Sequence, residues 1–255
     1  RHNPDDPNSL SDNYVNTIYE DQEGIIWIGT LDGLNEYNPE TGTFKHYRAD
    51  PDDPNTIAGN IITTISQDEF GKIWIGTLNN GLSQFDKTTG EIRNYQSRSG
   101  DVESLSHNKI WSFYEDRQGV FWVGTHGYGL NKYDRKNDVF ERYVFEPGDT
   151  TSISNNFINF IHQDVSGRYW IGTLNGLNKF DPEEETFTSY TIEDGLPNNV
   201  IYGIIEDARG HLWLSTNKGI SDFNPENGVF RNYDEGDGLP SNEFRFGAYH
   251  RARNG

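Results

Sequence analysis

Gln67-Asp68-Glu69-Phe70-Gly71-Lys72-Ile73-Trp74-Ile75-Gly76-Thr77 decides the fold. Asp-x-x-Gly is hairpin chemistry, because the Asp side chain bonds its own backbone and Gly takes the left-handed position. The apolar-aromatic run after it is one strand long. The core of this phrase recurs as Trp27-Ile28-Gly29-Thr30, Trp122-Val123-Gly124-Thr125, Trp170-Ile171-Gly172-Thr173 and Trp213-Leu214-Ser215-Thr216. The five Trp residues are 47, 48, 48 and 43 apart. An Asp-x-x-Gly step precedes each, at Asp21, Asp68, Asp116, Asp164 and Asp207.

The downstream flank repeats too. Gly-Leu or Gly-Ile follows at Gly33, Gly81, Gly129, Gly176 and Gly219, then an aromatic with Asp or Asn, as in Tyr37-Asn38 and Phe85-Asp86. Each unit ends on an apolar residue with a Tyr three later, Phe44 and Tyr47 in the first. Four short apolar segments separated by Gly, Asp, Asn and Pro make four strands, A to D. In the first unit these fall at Val15 to Glu20, Ile25 to Gly29, Leu34 to Tyr37 and Thr43 to Tyr47. No 11-residue window has helical periodicity. A four-stranded unit repeating every 40–50 residues is a propeller blade. A β-solenoid pairs its repeats in parallel, which the hairpin turns oppose. A WD-type propeller would show recurring Gly-His and Trp-Asp pairs, and none recur. One Trp per strand B fills the gap between neighbouring blades, and the Gly and Thr after it let strands approach closely.

Blades are expected at 13–47, 60–95, 108–143, 156–190 and 199–233, with a further blade starting at 242–255. Arg1 to Leu10 parallels Arg48 to Ile57, which follows the end of a strand D. Asn242-Glu243-Phe244 matches the start of a sixth strand A. The expectation is therefore an all-β chain, five complete four-stranded blades plus the first strand of a sixth, a fragment of a larger ring with unsatisfied blade faces at both ends.

The chain has 255 residues, a formal charge of −19 and 14% aromatics. Acidic disordered chains have few aromatics, so this one folds. No basic block suits duplex nucleic acid or anionic lipid. No apolar run approaches the roughly 20 residues that span a bilayer. Without cysteine there are no disulfides, thiolate zinc sites or cysteine nucleophiles. With no Met and a start at Arg1, the sequence reads as a piece of something longer.

The phrase from Asn60 to Thr77, Asn-x-Ile-x-x-Ile-x-Gln-Asp-x-x-Gly-x-Ile-Trp-Ile-Gly-Thr, resembles the two-component regulator propeller repeat. Gly238-Leu239-Pro240-Ser241-Asn242-Glu243-Phe244 resembles that family near the close of a propeller. The resemblance implies a seven-bladed propeller in the periplasmic sensor region of bacterial hybrid histidine kinases, sensors that commonly recognise carbohydrate breakdown products. The membrane helix, the kinase and the immunoglobulin-like Tyr-rich domain that follow in the family are not in this chain.

Propeller ligands sit, by analogy of fold, at the mouth of the central channel, where the D–A and B–C connections meet. An Asn begins every strand A, at Asn13, Asn60, Asn108, Asn156, Asn199 and Asn242. Its uniformity favours a turn residue bonding its own backbone over a ligand collar. The B–C loops instead vary, carrying Asp32, Asn79 and Asn80, His126 and Tyr128, Asn175, and Lys218. Variation on a regular scaffold is where specificity lives. Trp111 is the one Trp off the repeat position, and Asn16, Thr63, Asn159, Tyr202 and Arg245 align with it. Aromatic faces beside amides, hydroxyls and a cation suit the C–H faces and hydroxyl edges of sugars. The expected ligand-binding set is Trp111, His126, Tyr128, Asn79, Asn80, Asp32, Asn175, Lys218 and Tyr202; ordinary channel packing and surface loops are the plain alternative.

The acidic Pro-Asp loops lack the Asp-x-Asp-x-Asp-Gly order of calcium sites and read as solvated turns. No His pair has metal spacing, no nucleophile elbow is complete, and Glu20, Glu115 and Glu206 are repeat residues at a turn. The expected function is a non-catalytic, periplasmic ligand-sensing segment without cofactor or metal. Its expected partners are a small-molecule or oligosaccharide ligand and a homodimer through the parent receptor, with no nucleic acid and no direct membrane contact. The alternatives are a protein-interaction or dimerisation scaffold, and a lyase with His126 as base.

Overall fold

The computed structural model describes residues 1–245. Among them it is all-β, with five four-stranded antiparallel sheets, each a meander in chain order and each the blade of a β-propeller. The first blade is Val15–Glu20, Ile26–Thr30, Gly33–Asn38 and Thr43–Tyr47. The second is Ile62–Gln67, Ile73–Thr77, Leu82–Phe85 and Ile92–Tyr95. The third is Ile110–Glu115, Phe121–Thr125, Leu130–Asp134 and Val139–Tyr143. The fourth is Ile158–Gln163, Tyr169–Thr173, Gly176–Asp181 and Thr186–Tyr190, and the fifth Ile201–Glu206, Leu212–Thr216, Gly219–Asn224 and Val229–Tyr233. Strands A and D of the first blade match the sequence reading, B is shifted by one residue and C is longer by one at each end. The sixth strand expected over 242–255 falls mostly outside the described residues, and 242–245 form no strand.

The chain divides into two compact units, residues 1–123 with 131–142, and residues 124–130 with 143–255. In the first, Trp27 packs against Ile62, Ile65, Ile73, Ile75 and Phe85 of the second blade. Trp74 does the same against Ile110, Phe121, Val123 and Tyr133 of the third. In the second unit Trp170 packs against Ile201, Ile204, Leu212, Leu214 and Phe223 of the fifth blade. These three Trp thus each fill the gap ahead of their own blade, as their spacing predicts. Ile62 and Ile65, covered this way, are 0% and 6% exposed, whereas their first-blade counterparts Val15 and Ile18 are 41% and 65% exposed.

In the first, second and fourth blades the residue two after the Trp lies against the next strand A. A Cβ on Gly76 would come within 2.8 Å of Ile110 Cγ2, and one on Gly172 within 2.8 Å of Ile201 Cγ2. Ser215 holds this position in the fifth blade. It pairs with Gly203, where the other blades pair Gly with Thr17, Thr64 or Phe160. The missing Cβ has moved to the partner strand.

The Thr of the repeat has a role other than close packing. Thr30, Thr77, Thr125, Thr173 and Thr216 each donate Oγ1–H to the carbonyl of the following turn Gly, at 2.6–3.0 Å. The bond gives the buried hydroxyl its partner, and in the second and third blades it joins the Thr77 and Thr125 N–H on the same Gly81 and Gly129 carbonyls.

The repeated Asp does two jobs. Asp21 Oδ1 accepts the backbone N–H of Glu23 and Ile25, closing the A–B hairpin, while Oδ2 accepts Trp27 Nε1–H at 2.9 Å. The Asp-to-Trp bond recurs from Trp74 to Asp68, Trp122 to Asp116, Trp170 to Asp164 and Trp213 to Asp207, at 2.8–3.1 Å. A cation completes it. Lys87 of the second blade reaches Asp21, and Arg135 of the third reaches Asp68. Asp164 and Asp207 take Arg168 and Arg209 from their own blades. Burial pushes the Asp21 carboxyl up, but Lys87, the Trp27 N–H and the Ile25 amide outweigh it and hold the pKa below the usual carboxylate range.

Candidate functional site

The B–C and D–A connections meet at one end of each blade through the repeated Asn. Its Oδ1 accepts a backbone N–H from the start of the D–A loop, Ala49 for Asn60, Ser97 for Asn108, Phe145 for Asn156 and Ile192 for Asn199, at 2.7–2.8 Å. Its own carbonyl accepts the N–H of the preceding blade's turn glycine: Gly33 to Asn60, Gly81 to Asn108, Gly129 to Asn156 and Gly176 to Asn199. The Asn is structural, as uniformity suggests. Its bond, however, runs 7 or 11 residues back rather than to its own turn. The turn position must be glycine: Gly81 has φ +85° and a Cβ there would sit 2.2 Å from the Tyr95 carbonyl oxygen.

The residues aligned with Trp111 lie where strand A bulges, at Asn16, Thr63, Asn159 and Tyr202. Three of them are spent on the scaffold. Asn16 Nδ2 donates to the Ile62 carbonyl, Thr63 Oγ1 to Ile110 and Asn159 Nδ2 to Ile201, each at the start of the next blade. Tyr202 cannot make that tie and donates its hydroxyl to Asn217 Oδ1 at 2.8 Å.

In the first unit, Trp111 is half-buried on strand A of the third blade. Asp32 is engaged by Arg48, which donates Nε–H and Nη2–H to Oδ2 at 3.1 and 3.0 Å. Asn79 and Asn80 are exposed at the second B–C turn. Asn80 borders a cavity of about 550 Å³ between that turn and the D–A loop of its blade.

In the second unit, the His126 ring meets Phe157 edge-on, centroids 4.6 Å apart, and His126 and Phe157 form a backbone bridge. Tyr128 beside it is 43% exposed. Asn175 Oδ1 accepts from Asn199 Nδ2 at 3.2 Å. Lys218 borders a cavity of about 490 Å³ with Leu196, Pro197, Tyr233 and Asp234. His126, Tyr128, Asn175, Tyr202 and Lys218 thus belong to one unit, and Asp32, Asn79, Asn80 and Trp111 to the other.

The Pro-Asp loops are Asx turns: Asp6, Asp53, Asp101 and Asp149 accept the N–H two residues on. Glu115 and Glu206, at the ends of their strands A, accept the Glu69 and Val165 N–H of the preceding blade's hairpin. Sequence reading missed the cavity lining supplied by Asp50, Asp53 and Gln96. The available signal was glycine at position 59, where the other D–A loops carry a side chain.

The model of the two component regulator propeller matches residues 9–32, 56–79, 104–127, 152–175 and 195–218. No curated protein matches the chain. Among solved structures, the extracellular domain named for the hybrid two component system BT3049 of B. thetaiotaomicron is 27% identical, with a TM-score of 0.77 over 95% of this chain and 32% of that one. The extracellular domain named for the hybrid system BT4673 of the same organism is 25% identical, with a TM-score of 0.56 over 88% and 37%. This chain therefore spans about a third of the length of either. Virginiamycin B lyase from Staphylococcus aureus, 16% identical with a TM-score of 0.65 over 93% and 74%, shares the fold.

Proposed function

We propose, from the premise that this chain belongs to the two component regulator propeller family, that it is a ligand-sensing segment of an extracytoplasmic two-component receptor. The observation that carries this reading is the 27% identity over 95% of the chain to an extracellular domain of such a system. The location is the periplasm, and the parent receptor supplies the kinase output and the homodimer. No described helix is long and apolar enough to cross a membrane.

The ligand is a carbohydrate, bound non-catalytically at the B–C and D–A end. Support comes from the contrast between positions. The Oδ1 and carbonyl of the uniform Asn, with the Thr and Gly of that end, are taken up by the scaffold, whereas Asn79, Asn80, Tyr128 and Lys218 stay exposed and differ from blade to blade. Tyr and Trp rings with amide side chains complement sugar faces and hydroxyls.

The test is titration of the chain with neutral mono- and oligosaccharides, read by tryptophan fluorescence and calorimetry. Saturable binding that weakens in Trp111→Ala, with the thermal midpoint kept, is expected. A protein that binds none of the panel is not a carbohydrate sensor.

A further inference from the structure

The cap at the start of strand A sets the second blade apart. In the other D–A loops the residue before the repeated Asn accepts the N–H two positions on: Asp12 from Tyr14, His107 from Lys109, Asn155 from Phe157, Asn198 from Val200 and Ser241 from Glu243. The second blade has Gly59 there, and Ile61 N–H lacks that acceptor. The glycine does not serve a left-handed turn, since its φ is outside that region. It serves space: a Cβ would lie 2.7 Å from Asn80 Oδ1 and 2.8 Å from Asn80 Cβ. The cap is given up to seat Asn80, and beside Asn80 the cavity of about 550 Å³ opens.

The lining of this cavity has unused hydrogen-bonding capacity. Neither the Asn80 side-chain amide nor Asn60 Nδ2 bonds another described residue. Gln96 donates Nε2–H to the Asn80 carbonyl and leaves Oε1 open. Asp50 and Asp53 each use one carboxylate oxygen on an Asx turn. Pro51, Pro54 and Ala58 supply apolar surface between them. The fifth blade builds the corresponding cleft with Lys218, Asp234 and Asn232 where the second has Asn80, Gln96 and Asn94. In the first blade the positions of Asn80 and Gln96 are Asp32 and Arg48, joined by their ion pair.

We infer that the second-blade cleft is a binding site for one neutral polyhydroxylated ring, a saccharide unit, with Asn60 and Asn80 donating to its oxygens and Gln96, Asp50 and Asp53 accepting from its hydroxyls. Two carboxylates and no lining cation select against anionic sugars. Paired donors and acceptors against an apolar floor fit vicinal hydroxyls around a C–H face. The inference rests on the carbohydrate-sensing reading and places that ligand within the first unit.

The test uses the full chain and the same saccharide panel, with glucuronate as the anionic member. Asn80→Ala and Gln96→Ala should each weaken binding of the neutral ligand about tenfold. Gly59→Ser should bring a side chain within 2.8 Å of Asn80 Cβ, displace Asn80 and abolish binding, with a lowered thermal midpoint but the far-ultraviolet spectrum of a folded chain. Glucuronate should bind more weakly than glucose. If these variants bind like the unaltered chain while Trp111→Ala loses binding, the cleft is not the site and the sensing reading stands. If no saccharide binds the unaltered chain, both fall. Tighter binding of glucuronate than of glucose would overturn the assignment of ligand class.

Discussion

Lys87 Nζ lies 2.7 Å from Asp21 Oδ2, the same oxygen that accepts the Trp27 indole N–H at 2.9 Å. One buried carboxylate therefore closes a hairpin, orients a Trp and receives a cation from the following blade. The Asp21 side chain is fully buried and that of Lys87 is 15% exposed. Removing the cation would leave a buried charge only partly compensated.

Lys87→Met is expected to cost about 2 kcal/mol at neutral pH, measured by urea unfolding. The Asp21 pKa is depressed in the folded state, so its contribution is present above the unfolded carboxylate pKa of about 3.9 and fades as pH falls through the folded value. The gap between the unaltered chain and Lys87→Met should therefore narrow steadily below about pH 4. A gap independent of pH would show that Lys87 acts through packing alone.

Gly81→Ala should destabilise by about 3 kcal/mol, because a left-handed φ and a backbone oxygen 2.2 Å from the new Cβ act together. Gly42 has a similar φ of +71° but open space around it, so Gly42→Ala should cost about 1 kcal/mol. Equal costs in denaturant melts would mean that strain alone governs the turn.

Trp74→Ala should cost about 4 kcal/mol, since the ring is fully buried and stacks on Phe121 at 4.4 Å. Trp213 is only half-buried, and Trp213→Ala should cost about half as much. Thermal and chemical unfolding of the two variants side by side decide the ranking.

Ser215→Ala should stabilise by about 1 kcal/mol. Its buried Oγ has no hydrogen-bond partner among the described residues, while its Cβ is accommodated opposite Gly203. A loss of stability would point to a partner for that hydroxyl.

The blades were legible because their signals are local and repeated: Asp-x-x-Gly, the Trp after it and the turn glycine fall within fourteen residues. The role of Trp between blades followed from that regularity. The cations were not legible, because Lys87 and Arg135 stand 66 and 67 residues from the carboxylates they meet. The bulge residues misled for a different reason. Asn16, Thr63 and Asn159 look like variation that serves specificity, yet an amide and a hydroxyl donate equally well to a carbonyl. Among the candidate ligand residues, Asp32 is already satisfied by Arg48, which lies sixteen residues on at the end of strand D. The B–C turn residues Asn80 and Lys218 do line open cavities, each bounded by a D–A loop that no local motif marks.

The cation that completes the Asp21 cluster also sets an order of assembly. On the ribosome, the first hairpin emerges with its carboxylate and indole in place, but Lys87 leaves the exit tunnel only after 66 more residues have been polymerised. Asp68 waits in the same way for Arg135. Each of these blades is sealed from its C-terminal side, so a nascent chain paused between Trp27 and Lys87 holds an aromatic face still open to chaperones.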